Sequence, residues 1–214
     1  AGTGAVTRTV QSKLRDIVNV VDYGADPTGV ADSTTAIQAA IDYVCSLNAS
    51  TGYGGCVYMP PGNYKTTATI KTYSGTTSCG LVGAGQFATR FVPSGNFTVL
   101  NIAGQRIDSG DFAIVFPTVA AGAINSACVG VEFCSASLQM SYQTIRNITV
   151  YYAYNSFVLN NTSTTMYLTT LQNLTSLRAA NWGFYLNSAT GSTTLTMNQC
   201  YALCDNSVNA VYGS

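Results

Sequence analysis

Residues Arg146-Asn147-Ile148-Thr149-Val150-Tyr151-Tyr152-Ala153-Tyr154-Asn155 return 26 positions later (172 minus 146) as Gln172-Asn173-Leu174-Thr175-Ser176-Leu177-Arg178-Ala179-Ala180-Asn181. After one inserted residue, Phe157-Val158-Leu159-Asn160 returns as Phe184-Tyr185-Leu186-Asn187, and a weaker third copy runs from Asn198 through Cys200 and Leu203 to Asn206. A period in the twenties built from short strand-like runs marks a solenoid, whose coils each rest on their neighbours. Stacking then places Asn147 over Asn173, Asn155 over Asn181 and Asn160 over Asn187, so that side-chain amides hydrogen-bond along the axis. Thr149 over Thr175 does the same with hydroxyls. Ile148 over Leu174, Phe157 over Phe184 and Leu159 over Leu186 fill the interior.

Working back from the repeat, short β-rich runs recur at Cys56–Met59, Ala68–Thr72, Phe97–Ile102, Phe112–Phe116 and Ile145–Tyr151, with Pro60 to Tyr64 as a tight connection. The fold class expected is all-β, a parallel β-helix. Before it, Ile17–Val21 reads as a strand ended by the turn Asp26-Pro27-Thr28-Gly29. Asp32 then reads as the N-cap of a helix over Ser33–Ser46 with Ala36, Ile37, Ala40, Ile41 and Val44 on one face. An open solenoid end needs a cover, and this helix is expected to be the N-terminal cap. Val6, Val10, Leu14 and Ile17 form a further short helical stripe. The organisation expected is a neck helix or linker over 1–18, a strand plus capping helix over 19–48, and the β-helix over 49–214. The chain stops in mid-coil at Ser214, so it is expected to be a fragment, or to meet another chain there.

Composition agrees with stacked coils. Charged residues make up 8%, nine basic and nine acidic, while 28 Thr, 19 Ser and 16 Asn supply neutral polarity and 47% of residues are hydrophobic. A net charge of zero without basic runs gives nucleic acid nothing to bind. With no histidine, a Ser-His-Asp triad, a Cys-His dyad and a histidine-ligated zinc are excluded. The uncharged stretch Phe112–Val131 contains Pro117 and Gly122 and reads as a buried strand pair, so no membrane insertion is expected. Seven cysteines, an odd number without a C-x-x-C pair, read mostly as small buried apolar residues; a disulfide framework and a metal site are the alternatives.

Val20-Val21-Asp22-Tyr23-Gly24-Ala25-Asp26-Pro27-Thr28-Gly29, followed by Asp32-Ser33-Thr34-Thr35-Ala36-Ile37-Gln38-Ala39-Ala40-Ile41, resembles the opening of the pectate-lyase-like right-handed β-helix superfamily. Gly54 to Tyr64 and Leu81-Val82-Gly83-Ala84-Gly85 continue the likeness in order. Arg8 to Asp16, directly before it, resembles the neck of bacteriophage tailspikes. The resemblance implies a right-handed helix, a homotrimer on the virion attached through its N-terminus to other tail proteins, and recognition of a bacterial capsular polysaccharide or lipopolysaccharide O-antigen, often with cleavage. A non-enzymatic tail connector or adhesin, and a secreted polysaccharide lyase or hydrolase, stay open beside it.

Hydrolysis of a glycosidic bond needs two carboxyls, one of them protonated. Beyond the N-terminal region the sequence offers only Asp108, Asp111, Glu132 and Asp205. Glu132 sits in the apolar run Val129–Phe133, where burial would raise its pKa toward that of a general acid; a surface-facing strand residue is the alternative. Asp205, beside Asn206 on the third copy, is the second catalytic candidate, and Asp108 with Asp111 reads as an exposed loop. No carboxylate cluster for a metal and no cofactor motif is found, and Arg146 and Arg178 form no ladder because Arg178 aligns with Tyr152. Tyr151, Tyr152, Tyr154, Trp182 and Tyr185 on the repeats are candidates for stacking on sugars, with Arg178 beside them; packing in a trimer interface is the alternative.

Overall fold

The computed structural model describes residues 7, 9, 10, 17–51, 55–118, 124–134, 138–161, 166–188 and 193–203. They form a parallel β-solenoid of about five turns with one helix. One long sheet links twelve strands and continues around the corners of the coils, and a short sheet stacks Ile70–Lys71, Thr98–Ile102, Val129–Phe133, Asn155–Asn161 and Trp182–Ser188 in that order. Every pairing in both sheets is parallel, and the antiparallel hairpin Tyr73–Ser74 with Thr77–Ser78 stands apart.

The repeat sets the register. Strand Met140–Tyr151 pairs with Met166–Leu177 at a constant separation of 26, from Met140 on Met166 to Tyr151 on Leu177, and Met166–Leu177 carries the same offset into Thr193–Asn198 and Tyr201–Leu203. On the short sheet Phe157 lies on Phe184 and Leu159 on Leu186, offset by 27. The extra residue is taken up at the corner, where Asn155 Oδ1 accepts both Asn181 Nδ2 (3.0 Å) and Trp182 N (3.2 Å).

Each coil turns its corners at residues held in the left-handed region. Arg106, Tyr142, Leu168 and Thr194 form one column of such residues, Asp111, Asn147, Asn173 and Gln199 a second, and Tyr152 with Arg178 a third, all at φ between 45° and 63°. For side chains other than Asn and Asp this conformation costs about 1–2 kcal/mol per residue. The second column offsets the cost with a side-chain ladder: Asn173 Nδ2 donates to Asn147 Oδ1 at 2.8 Å, and Asn147 Nδ2 to Asp111 Oδ1 at 2.6 Å. Beside it Gly110, at φ 153°, lies so close to the next coil that an added Cβ would land on the Arg146 carbonyl. Thr149 does register with Thr175, but its hydroxyl accepts Gln86 Nε2 at 2.6 Å.

Inside, Phe133, Phe157 and Phe184 stack with ring planes within 12°, their centroids 6.3 and 4.9 Å apart. Phe133, Phe157, Leu159, Ile148, Leu174 and Leu171 are all essentially buried. The stretch read as a buried strand pair contributes Ser109–Val115 and Val129–Phe133, and no described helix is long and apolar enough to cross a membrane.

At the N-terminal side the strand expected over Ile17–Val21 is confined to Val18–Asn19. Asn19 Oδ1 accepts the Val21 amide at 3.0 Å and Gly24 closes a 3₁₀ turn over Val20–Tyr23 at φ 94°, which ends the strand. The helix is longer than expected, Thr34–Thr51, and packs Ile37, Ala40, Ile41, Val44 and Cys45 against the first coils. Its first carbonyl is that of Ser33, which accepts Ile37 N at 2.9 Å, so Ser33 holds the cap position expected of Asp32. Asp32 instead accepts the amide and hydroxyl of Thr34. Val10 and Ile17 of the neck stripe are exposed, whereas Val6 and Leu14 lie outside the described residues.

Phe157→Ala removes the middle ring of the stack and is expected to cost about 3–5 kcal/mol in urea unfolding, against under about 1 kcal/mol for the partly exposed Leu186→Ala. Equal losses would mean the stack is not the core. The Asp26 carboxylate ties the first turn, accepting the hydroxyl and amide of Thr28 and the amides of Val30 and Ala31. These bonds, the Thr28 hydroxyl first, hold its pKa at about 2 instead of the ordinary 3.8. A depressed pKa gives stability that is present above the unfolded value and lost as pH falls through the folded one, so Asp26→Asn is expected to flatten the melting temperature between about pH 4 and pH 2.

Candidate functional site

Two strips of functional groups run along the outside of the solenoid. The first lies on the long sheet and was missed by sequence reading. Register puts Ser109 on Ile145 and Gly110 on Arg146, an offset of 36, which brings Asp108, Asp111 and Arg146 together. Arg146 spans both carboxylates, with Nη1 3.7 Å from Asp108 Oδ2 and Nη2 3.2 Å from Asp111 Oδ2. Asp108 also accepts the Thr144 amide at 2.9 Å, and Asp111 accepts Asn147 of the ladder. Asp108 and Asp111 are therefore not a free loop: each is an anchored acceptor around one cation. That arrangement ties the corner between coils, each carboxylate being held by Arg146 and one further donor. At the edge of the strip, the Arg106 guanidinium lies 5.9 Å from the exposed Tyr142 ring, which meets Tyr167 edge to face at 5.6 Å.

The second strip follows the corner into the short sheet and carries the residues singled out from the repeats. Tyr152 and Arg178 occupy equivalent left-handed corners one coil apart, and the guanidinium sits 5.7 Å over the ring. Tyr151 and Tyr152 are 6.1 Å apart. Trp182 and Tyr185 open the last short-sheet strand with ring centroids 5.9 Å apart, both partly exposed. Tyr154 is half-buried against the core, which makes it more a wall than a platform.

Glu132 belongs to the same sheet. Its row runs Lys71, Asn101, Glu132, Val158, Tyr185 across successive coils, so it stands two coils from Tyr185, about 10 Å along the axis. It is half-buried, and Oε2 accepts Asn101 Nδ2 at 3.1 Å. The amide of Asn101 is nearly buried and its Oδ1 has no partner. Asp205 lies outside the described residues. Among the described residues no group of three or more Cys, Asp or Glu is placed to hold a metal ion.

A profile of the family described as rhamnogalacturonase A/epimerase, pectate lyase-like, matches residues 17–208. The chain belongs to this pectate-lyase-like family. Among curated relatives, the tail spike protein of Shigella phage Sf6 is 39% identical over 59 residues, 28% of this chain and 9% of that protein. Mannuronan C5-epimerase AlgE6 of Azotobacter vinelandii is 50% identical over 50 residues, 23% of this chain and 5% of the epimerase. In three dimensions the tailspike protein of E. coli bacteriophage HK620 superposes with a TM-score of 0.65 at 18% identity, over 96% of this chain and 38% of that one. The chain thus spans well under half the length of each of these three proteins.

Within this pectate-lyase-like scaffold, the Arg146 clamp is expected to be structural. Asp111→Ala, which removes a mostly shielded carboxylate from both the clamp and the ladder, is expected to cost about 1–2 kcal/mol in urea unfolding, and the half-exposed Asp108→Ala under about 1 kcal/mol. A reversed order would mean that the ladder contributes nothing.

Proposed function

We propose that this chain is part of a phage tailspike that binds a bacterial surface polysaccharide, capsular or lipopolysaccharide O-antigen, along the short-sheet strip and in complete form depolymerises it. The observation that carries this reading is the strip itself: the Tyr152 ring under the Arg178 guanidinium, and the Trp182 and Tyr185 rings side by side, are partly exposed groups at successive levels of the stack. Aromatic faces accept the C–H faces of sugar rings, while the guanidinium and the neighbouring Asn and Thr side chains bond hydroxyls or acidic groups. A glycan extended along the axis meets Tyr151 and Tyr152 on one coil and Trp182 and Tyr185 on the next. The tail spike relative supports a virion location; a homotrimer attached through its N-terminal segment to other tail proteins is the assembled form that belongs to this proposal.

For chemistry, hydrolysis is the proposed reaction, with Glu132 as the general acid and Asp205 as the partner that activates water or attacks carbon. The Asn101 amide donates to Oε2 and so fixes the orientation of the Glu132 carboxyl. A second reading, a non-enzymatic adhesin or connector, is favoured by the anchoring of Asp108 and Asp111, which leaves Glu132 the only described carboxylate outside the first two coils not held in an ion pair.

With the full-length protein and purified host polysaccharide, Trp182→Ala/Tyr185→Ala is expected to weaken binding about tenfold with an unchanged melting temperature. Glu132→Gln is expected to abolish reducing-end release while binding persists. Unchanged binding in the double variant would remove the strip from the account, and full release by Glu132→Gln would leave the adhesin reading for this part of the chain.

A further inference from the structure

We propose that Cys45 and Cys79 are a disulfide-forming pair that staples the helix to the third coil. Cys45 lies on the inner face of the helix and Cys79 directly before strand Gly80–Gly83, 34 positions later in the chain (79 minus 45), and both are fully buried. The Cys79 sulfur is 3.9 Å from the Ile41 carbonyl oxygen. In an α-helix that oxygen receives the amide of residue 45, so the Cys79 thiol sits on the helical turn that carries Cys45. Neighbouring contacts fix this approach: Asn48 Nδ2 donates to the Ser78 carbonyl at 2.7 Å, and the hairpin Tyr73–Ser78 packs on the same helix.

The two thiols are also polarised. The proximity of the two thiols lowers the Cys45 pKa through hydrogen bonding with Cys79 and raises that of Cys79, which burial raises further. Cys45 is therefore the sulfur that reacts first. With a low-molecular-weight disulfide as oxidant, the Cys45 thiolate attacks one of its sulfurs, forming a mixed disulfide and releasing one thiolate. The Cys79 thiol then gives up its proton and attacks the Cys45 sulfur, forming the Cys45–Cys79 bond and expelling the second small thiolate. The protein loses two electrons and two protons, and the oxidant becomes two thiols. The exposed Cys56 is the nearest competitor in sequence, but its sulfur is directed to the Asp108 carbonyl outside the strand, 4.0 Å away.

The consequence is a solenoid whose N-terminal helix cannot lift off after oxidation. The test equilibrates the purified chain with oxidised glutathione a few degrees below its melting temperature, blocks remaining thiols with iodoacetamide, and maps the peptides without reduction. The expected result is one cross-linked peptide joining Cys45 to Cys79 and a melting temperature raised by about 10 °C. Cys79→Ser should show neither change, and dithiothreitol should reverse both. Recovery of Cys45 and Cys79 both alkylated or both glutathionylated, or a cross-link from either of them to Cys56, would overturn the proposal. Because the map reads connectivity directly, it decides the question even if the serine variant is unstable.

Discussion

Each coil of this molecule must place its corners over the corners of the coil below, and the column Asp111, Asn147, Asn173 is where that constraint is met chemically. A left-handed residue turns the chain sharply while keeping the strands before and after it in parallel register. The conformation is unfavourable for most side chains, yet Asn and Asp tolerate it, and their amides and carboxylates reach along the axis to the next level. Once those levels are locked, the Phe133, Phe157 and Phe184 rings follow into contact and the backbone ladders close on either side. Corner, ladder and core are thus one geometric requirement expressed three ways.

The same requirement explains which parts were legible in the sequence. Coils from Met140 onward repeat at 26 or 27 residues, so Asn147, Asn155, Phe157 and their partners could be paired by reading alone. Earlier coils hide their repeat because insertions change the spacing: 39 residues separate Val18 from Val57 around the helix, 24 separate Cys56 from Gly80, and 36 separate Ser109 from Ile145. The Asp108–Arg146–Asp111 clamp depends on that last spacing, which is why two aspartates near a glycine read as a loop. The helix face was legible from its 3.6 periodicity, but its cap was not, since Asp32 and Ser33 are both good caps and only the backbone bond of Ile37 to Ser33 distinguishes them. Glu132 stood out as the only glutamate, whereas its bond to Asn101 needed the 31-residue pairing of two short-sheet strands.

The scaffold also sets the character of the surface. Interior positions are committed to stacking, so function is confined to corners and outward rows, where side chains change without disturbing the core. A row on a solenoid repeats about every 4.8 Å, which presents ring pairs and polar groups as an extended track instead of a deep pocket. The thiol pair under the helix adds a further constraint at the opposite end of the chain, one that ties a helical element with its own periodicity to the parallel stack.

The account rests most directly on coupling between levels of the asparagine column. A double-mutant cycle of Asn147→Ala and Asn173→Ala, read by urea unfolding, measures it without reference to any ligand. The stacked-corner account gives a coupling of about 1 kcal/mol, the two single losses together exceeding the loss in the double variant. Strict additivity would contradict it, because the two residues would then hold their corners independently and the ladder would not be what aligns the coils.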